Sequence, residues 1–413
     1  MKWIIFIVLS FAYILVFFHR FCAGVVAPDM MVELKSGGTL IGLLGALYFY
    51  PYAIMQIPAG VLSDTLGPRK TITIFFLISV IGSFVMGFSY NIWTALIGRT
   101  LVGIGVSMLF VPSMKIFTKW FSVKEFALIT GFFIAFGSIG TLFATSPLAW
   151  LSSIIGWRNV FVIISFVTLL ITILVWIFVK DEPDKLEYHT KKDILKVEIY
   201  QILKSIKSIV KNQYFWFLAV SFFSVFGVFF TITGLWGVPY LMHIYGLSKI
   251  KAGGIVSLFA FGMFIGNPLF GLLSEKVFKS RKKLIILISC FNLLIIFFLW
   301  LKIEQLSIVA LYVIFFCFGL FSNSIASIGF TTNKELFPVK ISGTATGFIN
   351  LFPYLSAAIF QQIFGLVLEI NGKKDGVFTA TGYKAGFFIL LILSLFGIIS
   401  SFFLKETYGK QHN

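Results

Sequence analysis

Charge is scarce in this sequence, and acid most of all. Asp and Glu together number 16 among 413 residues, and charged side chains make up 12% of the chain. A soluble domain carries about a quarter of its residues as charges. A water-facing surface around one aqueous core is therefore excluded. Cysteine is also rare: Cys22, Cys290 and Cys317 all lie in apolar runs. They read as small apolar side chains, with no disulfide framework and no metal knuckle. The sequence holds no phosphate-cradling glycine loop, no nucleophile elbow and no His-rich metal spacing. No catalytic residues, metal site or cofactor can be named, and the chain is not read as an enzyme.

What is present is apolar surface. Hydrophobic residues make up 59% of the chain, Phe alone occurs 52 times, and the mean hydropathy is +0.99. That suits helices whose outer faces meet lipid. A net charge of +17 is of the sign that nucleic acid attracts, but Lys and Arg fall in short clusters between apolar runs, not along one face. Such clusters set membrane topology instead.

A membrane helix needs about 20 mostly apolar residues. Twelve runs qualify: 3–26, 40–62, 72–90, 93–114, 126–148, 159–179, 213–241, 252–274, 283–301, 306–330, 342–368 and 384–404. Met1-Lys2 and the first run could imitate a leader. The run reaches Phe18 and resumes after His19-Arg20 to Val26, so it reads as a first, uncleaved span. The longest polar stretch, Lys180 to Asn212, lies halfway and predicts a solvated linker ending in an amphipathic helix. The expected division is a six-helix bundle over 1–180, a cytoplasmic linker over 181–212 and a second six-helix bundle over 213–413. With both termini inside, 23 Lys and Arg fall on the cytoplasmic side and eight outside. That imbalance predicts a multi-pass protein of the cytoplasmic (inner) membrane with both termini cytoplasmic.

The two halves repeat one another. GVLSDTLGPRK, from Gly60 to Lys70, leaves the second run, and GLLSEKVFKSRKK, from Gly271 to Lys283, leaves the eighth. FSVKEFALITGFF, from Phe121, parallels FPVKISGTATGFI, from Phe337. Six helices, a charged linker and six more form a parallel duplication, as expected when two bundles rock about a central site.

Gly60 to Lys70 resembles the helix 2–3 loop motif of the major facilitator superfamily, Gly-x-Leu-Ala/Ser-Asp-basic-x-Gly-basic-basic. Leu96, Arg99, Gly103 and Gly105 are similar to its helix 4 motif, and Gly156-Trp157-Arg158 precedes the sixth run as is common in that family. Thr65 and Pro68 depart from the pattern where basic residues are usual, which predicts a weaker loop charge network. The resemblance implies a twelve-helix, all-α fold of two pseudo-symmetric bundles and solute transport by alternating access. It also implies a gating set of Gly60, Asp64, Gly67, Arg69, Lys70 and Arg99, in which Asp64 latches the cytoplasmic side shut when the site faces outward. Gly60 is expected to permit close helix approach and Gly67 a tight turn.

Polar side chains within a bilayer are costly and mark a path or a helix contact. Tyr13 and Arg20 share a face of the first helix. Tyr48, Tyr52 and Gln56 recur at every fourth position of the second. Trp236 and Tyr240 come after Thr231 and Thr233 in a stretch whose Gly234, Gly237 and Pro239 are apt to break the seventh. Asn323 lies on the tenth, and Asn350, Tyr354 and Gln361 on the eleventh. These are the expected substrate-lining residues, with an interfacial position as the alternative for Trp236 and Tyr240. No Asp or Glu falls mid-membrane. A proton step is left to His19, with an ordinary pKa near 6.5, or to Asp29 beyond Pro28.

Arg20 lies 18 residues beyond Lys2, about 27 Å along a helix. A central Arg costs about 2.5–3.5 kcal/mol, so a partner or an aqueous cavity must offset it. Asp29, nine residues on, is about 14 Å away, too far to pair within a regular helix. An incoming carboxylate or phosphate would supply the missing charge. The chain is thus read as a secondary active or facilitative transporter, a monomer, moving a small solute, with an organic anion in first place. The alternatives are an amino-acid, peptide or metal-chelate carrier of the same fold, or a non-transporting membrane sensor.

Overall fold

The computed structural model describes residues 1–183 and 205–409. The expected linker helix falls largely on 184–204, outside the described residues. Among the described residues, eleven helices are long and apolar enough to cross a membrane, and a bent pair brings the count to twelve. They are α1 (Lys2–Glu33), α2 (Gly38–Thr65), α3 (Pro68–Gly87), α4 (Ile92–Trp120) and the bent α5 (Val123–Phe143 and Ser146–Ile155). After these come α6 (Trp157–Phe178), α7 (Gln213–Tyr245), α8 (Lys249–Phe278), α9 (Arg281–Leu301), α10 (Ile308–Leu336), α11 (Ile341–Ile370) and α12 (Ala380–Phe402).

The starts of these helices are written in local chemistry. Gly67 takes the left-handed φ of 86° that turns α2 into α3, and Pro68 opens α3, where its missing N–H costs nothing. Ser122 and Glu125 form a reciprocal capping box at the start of α5.

Several helices run past their expected ends, and two places apt to break a helix stay helical. α1 runs on through Pro28 to Glu33, past the expected end at Val26. A continued helix still satisfies main-chain groups: the Leu34 N–H reaches the Met30 carbonyl at 2.9 Å. The expected break in α7 is replaced by a π-turn over Ile232–Trp236, where the Gly237 N–H bonds to the Ile232 carbonyl. Thr231 and Thr233 donate to the Gly227 and Phe229 carbonyls at 2.6 and 2.7 Å, helping the chain stay helical.

The duplication is visible in the packing. In the first half α1 packs on α5 and α6, α2 on α4, and α3 on α6; the second half repeats this with α7 on α11 and α12, α8 on α10, and α9 on α12. Between the halves run three seams, α2 against α11, α5 against α8 and α1 against α7. Glycines let the first seam close tightly. A Cβ added at Gly42 would lie 2.7 Å from the Gln361 carbonyl, and one at Gly38 would lie 2.4 Å from the Gly365 carbonyl.

A buried guanidinium at the seam

Arg20 of α1 is 5% exposed and sits in a box of rings. Its guanidinium carbon lies 4.5 Å from the Phe17 ring centre, 5.1 Å from Tyr52 and 5.1 Å from Tyr354. Tyr52 belongs to the first half and Tyr354 to the second, and their ring centres are 4.4 Å apart. Cation–π contact offsets part of the desolvation of the charge. It does not satisfy the donors: Arg20 Nε and Nη2 are buried without a hydrogen-bond partner. Among the described residues no acid forms an ion pair with Arg20.

Further rings continue the box. Phe49 of α2 meets Phe230 of α7 at 5.4 Å, and Phe230 meets Phe21 of α1 at 5.9 Å. Tyr13 stacks on Phe133 of α5 at 4.3 Å. Phe17, Phe21, Phe49 and Phe230 escape sequence reasoning. Among 52 Phe residues, nothing local marks the four that line the seam.

Arg99, the other mid-membrane cation, likewise has Nε and Nη2 without a hydrogen-bond partner, but its third nitrogen is engaged. It is fully buried beneath the Tyr48 ring at 4.6 Å and donates through Nη1 to the His19 carbonyl at 2.8 Å. Tyr48 in turn donates to the Val16 carbonyl at 3.1 Å. Tyr48 therefore joins α2 to α1 and covers Arg99. The His19 ring is fully buried with both nitrogens unpartnered.

The remaining expected lining residues divide into four groups. Gln56 and Asn350 meet each other across the seam at 3.2 Å. Trp236 and Gln361 form a plug: the Trp236 indole N–H donates to the Gln361 carbonyl at 2.9 Å, and the Gln361 amide donates to the Phe230 carbonyl at 2.8 Å. Trp236 is fully buried. Tyr240 is likewise buried, yet its hydroxyl donates to the Ile303 carbonyl at 2.8 Å and its ring packs on Tyr383 and Phe387, all in the second half. Its ring contacts do not include the Arg20 box. Asn323 is buried at an interruption of α10.

The two ends of the seam differ. At one end Asp29 pairs with Lys249 at 2.6 Å, joining the halves, and the Glu369 carboxylate accepts from the Thr39 N–H at 2.8 Å, capping the start of α2 from the opposite half. Asp29 is thus a cross-half ion-pair partner. At the other end, every ion pair among the described residues stays within one half. Asp64 pairs with Lys115 and Lys119 with Glu182 in the first; Arg281 meets Glu275 at 2.6 Å and Glu335 at 3.0 Å in the second. The close helix approach expected at Gly60 is not there, since a Cβ at that position meets nothing within 4 Å.

The loop motif is wired to the chain segment at the end of each bundle. The Asp181 carboxylate accepts from the Arg69 N–H at 2.6 Å, and the Arg69 side chain lies 4.5 Å from the Trp176 ring. Lys70 is exposed. In the second half the Glu406 carboxylate accepts in the same way from the Arg281 N–H at 2.9 Å. Burial opposes the charge on Glu406. Hydrogen bonds from Ser280 and from the N–H groups of Arg281, Tyr408 and Thr407 nevertheless hold its carboxyl below the usual 4.5.

Two repeated six-helix halves around a buried seam define a class of polytopic membrane carrier. The chain belongs to the Major Facilitator Superfamily, whose family model matches residues 9–361. It is similar to the probable galactarate/D-glucarate transporter GudP of Escherichia coli, 24% identical with 99% of this chain and 96% of that protein covered. It is similar to the probable sulfoacetate transporter SauU of Cupriavidus necator, 23% identical over 92% and 90%. It also resembles the membrane sensor protein UhpC of Escherichia coli, 24% identical over 92% and 89%. Among solved structures, the fold matches a D-xylose-proton symporter with a TM-score of 0.75 at 16% identity, covering 99% of this chain and 98% of that one.

Proposed function

We propose that this chain moves a small organic anion across the cytoplasmic membrane by alternating access, with Arg20 gripping the anionic group. The observation that carries this is a buried guanidinium at the seam of the two halves, with two nitrogens unpartnered and no paired acid among the described residues. A carboxylate can accept two parallel N–H bonds from such a fork. The names of GudP and SauU, both given for organic acids, support the same reading.

The division into bundles 1–180 and 213–413, joined by a cytoplasmic linker at 181–212, puts both termini inside. The Asp64 end then faces the cytoplasm and the Asp29 end faces out. The resulting state is one closed outside and parted inside. Asp64, Gly67, Arg69, Lys70 and Arg99 serve the movement, while Gly60 awaits the opposite state. His19, with both ring nitrogens bare, is the site for any coupled proton. The chain works as a monomer and catalyses no covalent chemistry.

Anion uptake into proteoliposomes tests this. Arg20→Gln should abolish binding and uptake, and Arg20→Lys should weaken both, while the protein still folds. Normal uptake by Arg20→Gln, or a cationic best substrate, would overturn it. Resemblance to UhpC supports a sensor as the second reading; ligand binding without flux would favour it. Reporter fusions at Gly37 and Lys192 should report opposite sides of the membrane.

A further inference from the structure

Resting on Arg20 as the anion grip, we infer that the substrate is a monoanion whose body is apolar and flat, held between Tyr52 and Tyr354 with its one carboxylate on Arg20. Charge counting carries the first part. Among the described residues the spans hold two mid-membrane cations, and Arg99 is not free to meet a ligand. It is 0% exposed and lies beneath the Tyr48 ring; Nη1 donates to the His19 carbonyl, while Nε and Nη2 are without a hydrogen-bond partner under that ring. A ligand at the seam therefore meets one guanidinium. One guanidinium fork saturates one carboxylate. A second carboxylate on the same molecule would have to rest among rings such as Phe17, Phe49 and Phe230, without a second accessible mid-membrane cation among the described residues.

The shape comes from the walls. Tyr52 and Tyr354 are on opposite halves and touch one another over the guanidinium, with ring centres 4.4 Å apart and planes inclined at 53°. When the halves part, these rings separate first along the line that leads to Arg20, leaving a slot faced with π surface on both sides. Phe49 and Phe230 close its far wall, and Phe49 already lies nearly parallel to Tyr354 at 18°. Such a slot favours an aromatic or otherwise planar apolar body, which stacks, over a polyhydroxylated one, whose many hydroxyls lose more water than the few phenol hydroxyls of the box replace. This separates the chain from the diacid carriers it is similar to.

Thermal stabilisation and counterflow with the purified full-length protein test the inference, using benzoate, benzamide and galactarate as probes. Benzoate should raise the melting temperature and drive counterflow, with an affinity at least about a hundredfold above that of galactarate. Arg20→Gln should remove the response to benzoate. Tyr52→Ala and Tyr354→Ala should each weaken benzoate by about tenfold or more, and Phe at either position should restore most of it. Tighter binding of galactarate than benzoate would overturn this inference and leave the anion grip standing. Equal binding of benzamide and benzoate, unchanged in Arg20→Gln, would overturn the grip itself. Benzoate affinity unchanged in both alanine variants would overturn the slot.

Discussion

Arg99 donates a 2.8 Å hydrogen bond to the main-chain carbonyl of His19, the residue immediately before Arg20. Helix α4 thereby helps set the position of the seam guanidinium from beside the box, which it also meets through Phe110 against Tyr13 at 5.8 Å. Removing the donor should expose this dependence. In Arg99→Leu the His19 carbonyl keeps its Cys22 partner and loses one charge-assisted hydrogen bond, worth about 1.5–3 kcal/mol. The melting temperature and the transport rate should both fall, while ligand affinity falls far less than in Arg20→Gln. An affinity loss equal to that of Arg20→Gln with an unchanged melting temperature would put Arg99 in direct ligand contact.

The pair of Asp29 and Lys249 joins the halves at one end of the seam, proposed above as the outer one, with side chains 28% and 11% exposed. A partly screened pair of this kind is worth about 1 kcal/mol, or roughly fivefold in the ratio of closed to open states. Asp29→Asn and Lys249→Gln should each speed labelling of a reporter thiol placed at Gly37 from the outside. The swap Asp29→Lys with Lys249→Asp should slow it again. Equal labelling in all three would remove the pair from the closure.

Gly42 tests the seam by size. A Cβ there would press within 2.7 Å of the Gln361 carbonyl, a contact between halves. Overpacking costs about 1–3 kcal/mol. Gly42→Val should therefore disfavour the outward-closed state by roughly fivefold to a hundredfold and cut uptake, with each half still folded. Gly254→Val, where nothing lies within 4 Å, serves as the control and should transport normally. Normal transport by Gly42→Val would show that the seam opens without cost.

Asp64 and Lys115 are both on the first half, and their side chains are 44% and 28% exposed. An exposed pair of this kind contributes at most about 1 kcal/mol to stability. Asp64→Asn should leave the melting temperature nearly unchanged. A large fall in uptake, with faster labelling of cytoplasmic thiols, is the outcome expected if Asp64 also braces the opposite state. Unchanged labelling and flux would reduce it to loop charge.

Glu406 supplies a pH dependence. Its carboxyl is held below 4.5 in the folded chain, so its contribution is complete above about pH 4.5 and fades as the pH falls. Docking of the tail at Thr407 and Tyr408 onto Glu335 and Glu275 should loosen in that acidic range. Proteolysis after Lys405 reports it. Glu406→Gln should be cleaved at neutral pH as fast as the parent is in acid; equal resistance of both at neutral pH would remove Glu406 from the docking.

Much of the fold was legible in the chain. The runs of about 20 apolar residues placed all twelve spans, because hydrocarbon thickness sets a length that sequence must meet. The paired motifs after the second and eighth runs announced the duplication that the packing repeats. Less legible were the helix ends. Pro28 and the glycines of α7 look like breaks in water, but in lipid a helix or π-turn keeps main-chain groups paired. Tyr240 joined the lining group by its type and spacing, while its hydroxyl is spent on Ile303 in the second half.

By itself, then, the sequence determined the number of spans, their repeat, the imbalance of charge across the membrane and the presence of a lone unpaired arginine in the first span. Tertiary structure alone decided partnership. Asp29 meets Lys249 across 220 positions, and Tyr52 and Tyr354 close over Arg20 from opposite halves. The physical reason lies in the helices. They are apolar on nearly every face, so no hydrophobic stripe tells which face meets protein and which meets lipid. Rotation and tilt, and with them every polar contact, are set only when twelve helices pack.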